Sequence, residues 1–151
     1  MGNAVPRPIR RAVYVSCLDA SFARTGACVG IVDRPDSVTW HDLVDKKDRI
    51  LRGTSKKAQA IARTVQTKSF EELDRRIRQE ILAIDGATVL SHTGEILAVG
   101  AILKIPAGSA GGGRLAAAKA LAEFGIGIKV SQDGSITGFR SGHDEPAFRL
   151  M

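Results

Sequence analysis

The apolar positions along this chain alternate between two periods, and their order predicts an α/β domain. Ala-Val-Tyr-Val-Ser-Cys-Leu, residues 12 to 18, reads as a strand, and Ala27 to Val32 reads as a second one buried on both faces. From Asp33 to Gly53 the chain turns polar, which predicts a long connection with one short strand at most. Ala58, Ile61, Ala62 and Val65 then fall at i, i+3, i+4 and i+7, the stripe of an amphipathic helix. Ser69 followed by Glu72 has the form of a capping box, and Phe70, Leu73, Ile77 and Ile81 supply the buried face of the helix it opens. Asp74, Arg75, Arg76 and Arg78 are left to a solvated face.

Period two returns in the second half. Ala87 to Leu90 predicts a strand, His92-Thr93-Gly94-Glu95 a hairpin turn, and Ile96 to Ile105 a long returning strand. A loop of small residues, Pro106 to Gly113, leads into an alanine-rich helix from Arg114 to Phe124. Ile126 to Ser131 and Ser135 to Phe139 form a last hairpin across Gln132-Asp133-Gly134. The expected assembly is a mixed central sheet flanked by helices. Residues 1–10 read as a basic arm, 11–140 as the domain, and 141–151 as a tail or linker.

Composition narrows the picture modestly. With 151 residues, 44% apolar and 25% charged, the chain is long enough for one domain with a sizeable core. Aromatics make up only 5%, so that core must be aliphatic. A net charge of +6 and an isoelectric point near 9.7 favour anionic partners without naming one. Cys17 and Cys28 lie in apolar runs and read as buried thiols, and no Cys/His spacing suggests zinc. No run approaches the length of a membrane span and no apolar signal core follows the basic start, so a cytoplasmic location without membrane insertion is expected.

Two segments carry candidate chemistry. Ser109, Gly111, Gly112 and Gly113 stand in a loop whose backbone N–H groups can approach an anion, and the following helix adds unsatisfied donors and a partial positive charge. Arg114 in its first turn can add a bidentate contact to phosphate. The loop is not a Walker sequence, and a flexible connector with an exposed arginine has the same composition. Asp85, just before a strand and followed by Gly86, can hold a divalent metal or orient a hydroxyl nucleophile; Asp-Gly is equally an ordinary turn. The three histidines and the serines show no base or triad partner at useful spacing. The basic runs at Arg7 to Arg11 and Lys46-Lys47 lack interleaved aromatics, which argues against a nucleic-acid interface.

Taken in order, Ile84-Asp85-Gly86-Ala87, a hairpin, a long strand, a glycine loop entering an alanine-rich helix and a strand ending in Ser131 resemble the diadenylate cyclase domain, the nucleotide-binding domain of bacterial DNA-integrity scanning proteins and their membrane-bound relatives. The resemblance spans roughly residues 11 to 139. Gly26 to Val32 is similar to the strand that helps enclose adenine, and the helices between Ser55 and Leu82 fall where the family places two. The resemblance implies condensation of two ATP into cyclic di-AMP with Mg or Mn, by two protomers facing each other. Asp85 would then support the metal and the attacking ribose hydroxyl, Gly86 and Ala87 would line the nucleotide, and Ser131 would lie near the phosphates.

The chain departs from the family where the phosphates are neutralised. Gly111-Gly112-Gly113-Arg114-Leu115 stands in place of Gly-Thr-Arg-His-Arg, and Gln132 replaces the acidic residue after the serine, with Asp133 next to it. Losing one donor to a transition-state oxyanion can cost on the order of 100-fold in rate. The implied partners are ATP or a cyclic dinucleotide and a second protomer. Three functions stay open: a degenerate sensor or regulatory module that binds nucleotide, an active diadenylate cyclase, and a basic nucleic-acid adaptor.

Overall fold

The first apolar run is a helix, not a strand. In the computed structural model, which describes residues 4–36, 38–50, 53–105, 113–143 and 145–150, α1 spans Arg7–Ala23. Ile9, Ala12, Val13, Ser16, Cys17 and Ala20 recur at spacings of three and one, so only a window wider than residues 12 to 18 reveals the helical stripe. Pro8 sits in the first turn, where its missing N–H costs nothing. Arg24 closes the helix in the left-handed conformation. The basic stretch Arg7–Arg10 thus belongs to the domain, with Ile9 in its core.

β1 (Ala27–Val32) is buried along its whole length, as its apolar run predicts. Among its described residues, the connection after it holds two short 3-10 turns, Val38–Asp42 and Lys46–Asp48, and a bridge from Arg49 to Ala98 in place of the expected strand. α2 (Lys56–Val65) is capped by the Ser55 hydroxyl, which accepts from the Ala58 N–H. The capping box at Ser69 forms, but around a 3-10 turn, Phe70–Glu72. α3 starts afresh at Arg75 and runs to Ala83. Two contacts hold the break: the Phe70 N–H donates to the distant Gly94 carbonyl (2.8 Å), and, locally, Arg78 Nη1 donates to the Leu73 carbonyl (2.7 Å). Two arginines expected on a solvated face therefore do more. Arg78 also covers the Phe70 ring, and Arg75 pairs with Asp19 of α1 at 2.7 Å.

β2 (Ala87–Ser91) and β3 (Ile96–Ala101) form the expected hairpin, although β3 stops at Ala101 and leaves Ile102 exposed. α4 (Gly113–Ala122), β4 (Gly125–Val130) and β5 (Ile136–Arg140) follow as predicted. The segment expected to be a tail contributes β6, Phe148–Leu150, paired antiparallel with β5. The sheet order is β3-β2-β1-β4-β5-β6, with β1 and β2 parallel and every other pair antiparallel.

Helices cover both faces. On one, α1, α2, Phe70, Leu73 and α3 pack against Val29, Ile31, Leu90 and Ile128. On the other, α4 with Trp40 and Val44 packs against Cys28, Val32, Val89 and Leu97. Burial pushes the thiols of Cys17 and Cys28 up to about 12; the neighbouring thiol adds to the rise at Cys17, while Arg114 opposes it at Cys28. Both are expected to resist thiol reagents in the native protein and react on unfolding. Because unfolded thiols ionise near 9 and the folded ones keep their protons to about 12, stability should fall as pH rises past about 9, read from urea midpoints at rising pH.

Candidate functional site

Strand register gathers the candidate residues at one end of the sheet. Ala87 pairs with Cys28 on one side and Ala101 on the other, and Ala27 pairs with Val130. Asp85-Gly86 before β2, Gly26 before β1, Ile102 after β3 and Ser131 after β4 therefore share one rim. Neighbouring strands lie about 4.8 Å apart, so Asp85 and Ser131, two strands from each other, sit about 10 Å apart along it. α4 points its N-terminus at this rim. Leu121 packs on Gly30, Ala118 on Gly127, and the Arg114 guanidinium on Gly26, so the helix runs along β1 with Gly113 and Arg114 over the start of that strand. Ser109, Gly111 and Gly112 lie outside the described residues.

Each side chain at the rim has a definable state. Asp85 is exposed, and its carboxylate has no hydrogen bond or ion pair among the described residues. Gly86 has φ +107°, and a Cβ there would stand 2.5 Å from the Gly100 carbonyl carbon. Glycine is thus required by the approach of β3 as well as by the turn. Ala87 is buried in β2. Gly113 is exposed at the first turn of α4, with open space where a Cβ would lie. Arg114 folds back over Gly26: a Cβ built there would meet its guanidinium carbon at 2.7 Å.

Ser131 spends its backbone on the β4–β5 turn, its N–H donating to Ser135 and its carbonyl accepting from Gly134. Asp133 is committed to the same turn. Its carboxylate accepts from the N–H and hydroxyl of Ser135, and these bonds hold it below the usual carboxylate range.

Two residues of the rim gave no signal in the sequence. Asp48, in the polar connection, is buried, and Lys57 Nζ of α2 reaches it at 2.7 Å. Lys57 Nζ also donates to the Gly100 carbonyl at 2.9 Å, and the second Asp48 oxygen faces the Ile102 N–H at 3.4 Å. A Cβ on Gly100 would lie 3.0 Å from the Asp85 carbonyl and 3.1 Å from Lys57 Nζ, so this ion pair adjoins the Asp85 turn. Nothing local marks it, because its partners are separated by 9, 43 and 54 positions.

A cleft of about 470 Å³ opens at the other end of β3, lined by Trp40, His41, Lys46, Arg49 and Glu95 among others. Arg49 donates to the carbonyls of Val44 and His41, and burial together with Arg49 keeps the His41 pKa below its ordinary value. This charge is occupied in holding the connection. No group of three or more potential metal-ligating side chains exists among the described residues, and no helix among them is long and apolar enough to cross a membrane.

No family model and no curated protein matches the chain. Solved structures do. A hypothetical membrane spanning protein from Bacillus cereus superposes with a TM-score of 0.60 at 16% identity, over 89% of this chain and 60% of that one. The chain thus spans about 60% of the length of that structure. A double mutant of DacA from Staphylococcus aureus superposes with a TM-score of 0.58 at 13% identity, over 93% of this chain and 86% of that one. At these identities the likeness is one of fold alone: a mixed six-stranded α/β domain shared with these two structures.

Proposed function

We propose that this domain binds a nucleotide, ATP or a cyclic dinucleotide, at the rim formed by Asp85-Gly86, the N-terminus of α4 and Ser131, and that it works as a sensor or regulatory module. The observation that carries this reading is the convergence of segments distant in sequence on one sheet end, where a helix N-terminus arrives and one of the segments carries an exposed, unengaged carboxylate. The helix end suits a phosphate. Gly113 leaves room for the approach, and Arg114 stands close enough to contribute charge.

Asp85 alone fits a divalent cation only in company. Mg²⁺ is commonly held by one or two carboxylates together with substrate phosphates, and such a cation would neutralise phosphate charge here. A site with one carboxylate and one arginine should bind nucleotide better than it transforms it. The alternative of an active cyclase draws on the same retained Asp85, Arg114 and Ser131, and turnover would need two such rims facing each other.

Calorimetric titration with ATP and with cyclic di-AMP, each with and without Mg²⁺, tests the reading. Arg114→Ala should weaken binding about tenfold, the scale of one charge-assisted hydrogen bond. Arg76→Ala should leave it unchanged, since Arg76 is exposed on α3 and only loosely paired with Glu80 at 3.9 Å. Absence of binding to every nucleotide at about 1 mM, a free energy near −4 kcal/mol, would remove the proposal. Chromatographic detection of cyclic di-AMP from ATP that disappears in Asp85→Ala would move the function to catalysis.

A further inference from the structure

We infer that Lys57 and Asp48 are positioning residues for the Asp85 turn, and that nucleotide affinity depends on their ion pair although neither need touch the ligand. The inference rests on the nucleotide reading above and deepens it. The Asp85-Gly86 turn leans on the backbone at Gly100, where a Gly86 Cβ would come within 2.5 to 2.8 Å of Gly100 and Ala101 backbone atoms. Gly100 itself sits at φ +58°, in the left-handed region. Beside that turn Lys57 donates to the Gly100 carbonyl, and the second oxygen of Asp48 faces the Ile102 N–H.

The order of contacts is therefore Asp48 to Lys57, Lys57 to Gly100, and Gly100 to the Asp85 turn. Each link joins a different chain segment: the polar connection, α2, β3 and the entry to β2. Asp48 is almost fully enclosed, whereas one third of the Lys57 side chain remains accessible. Of the three donors of the Lys57 ammonium, one goes to Asp48 and one to the Gly100 carbonyl, so the same group ties the polar connection to β3. Removing the ammonium leaves the Gly100 carbonyl and the Asp48 carboxylate short of their donor, and the segment behind Asp85 loses its fixed shape. Groups that orient a ligating carboxylate typically change affinity by 10–100-fold when removed.

Hydrogen exchange and titration together test this. Lys57→Met should speed amide exchange at Asp85, Gly86 and Gly100 to Ile102 about tenfold, a local opening that leaves the β4–β5 hairpin unchanged. The same variant should weaken Mg²⁺-dependent ATP binding about tenfold, and Lys57→Arg should recover part of the loss. In an Asp85→Ala background the further substitution Lys57→Met should cost no additional affinity, because its effect passes through that turn.

Unchanged exchange at the Asp85 turn in Lys57→Met would overturn the inference, as would a loss of affinity that is just as large in the Asp85→Ala background. If Lys57→Met does not fold, Asp48→Asn, which keeps an acceptor for Lys57, is judged by the same two readouts. Wild-type protein that binds no nucleotide would remove the functional reading, and the exchange result would then decide the positioning role by itself.

Discussion

Gly86→Ala is expected to cost about 3 kcal/mol of stability and to abolish nucleotide binding at the rim. Two effects combine at this position. The backbone lies at φ +107°, where a Cβ clashes with its own chain at a cost of about 1–2 kcal/mol. The new methyl would also stand 2.5 Å from the Gly100 carbonyl carbon, an overlap with β3 backbone rather than with a side chain able to rotate away. Forcing an extra methyl into packed structure typically costs a further 1–3 kcal/mol. The strands can relieve the overlap only by moving β2 from β3, which moves Asp85 with them. Urea unfolding and ATP titration on the same preparation check both parts. A variant with native stability would show that the Asp85 turn does not rest on β3.

The second large effect is expected at Gly127, on β4 beneath α4. A Cβ there would lie 1.8 Å from the Ala118 carbonyl oxygen, so α4 cannot keep its seat over an alanine. Gly127→Ala should lower stability by about 3 kcal/mol, or about 6–12 °C in Tm for a domain of this size. Because α4 carries Gly113 and Arg114, its displacement should also weaken nucleotide binding more than the stability loss alone explains. The comparison that isolates this is Gly142→Ala, where a Cβ would meet nothing within 4 Å, although the φ of +79° makes it a mildly strained control. Equal unfolding midpoints for Gly127→Ala and the wild type would mean that α4 does not pack this closely on β4.

Much of the architecture is legible in the apolar pattern because most elements bury residues at their own intrinsic period. β1, the β2–β3 hairpin, α2, α4 and the β4–β5 hairpin all follow from local signals. α1 was hidden by its composition: Val13, Tyr14 and Val15 suit strands, and the seven residues from Ala12 to Leu18 are too few to separate a buried strand from about two turns of helix. Ile9 and Ala20, outside that window, settle the period. β6 was hidden for a different reason. Three residues have no periodicity of their own, and Phe148–Leu150 becomes a strand only because β5 offers an open edge.

The candidate site divides in the same way. Asp85-Gly86 and the helix start at Gly113-Arg114 were visible as residue types in order, since turns and helix ends depend on neighbours within a few positions. Their meeting at one rim was not visible, because it depends on β1 and β2 lying side by side in parallel and on α4 running back along β1. The Asp48–Lys57 pair was likewise invisible, as was the engagement of Asp133 in its own turn.

By itself, then, the sequence determined the alternation of elements, the aliphatic double-faced core and the residues available for phosphate chemistry, all of which are written in short-range pattern. Only the tertiary structure decided where the sheet edge continues and that Lys57 meets the Gly100 carbonyl beside the turn bearing Asp85. These outcomes turn on contacts between separate segments of the chain, where burial and hydrogen bonding across the sheet outweigh local preference.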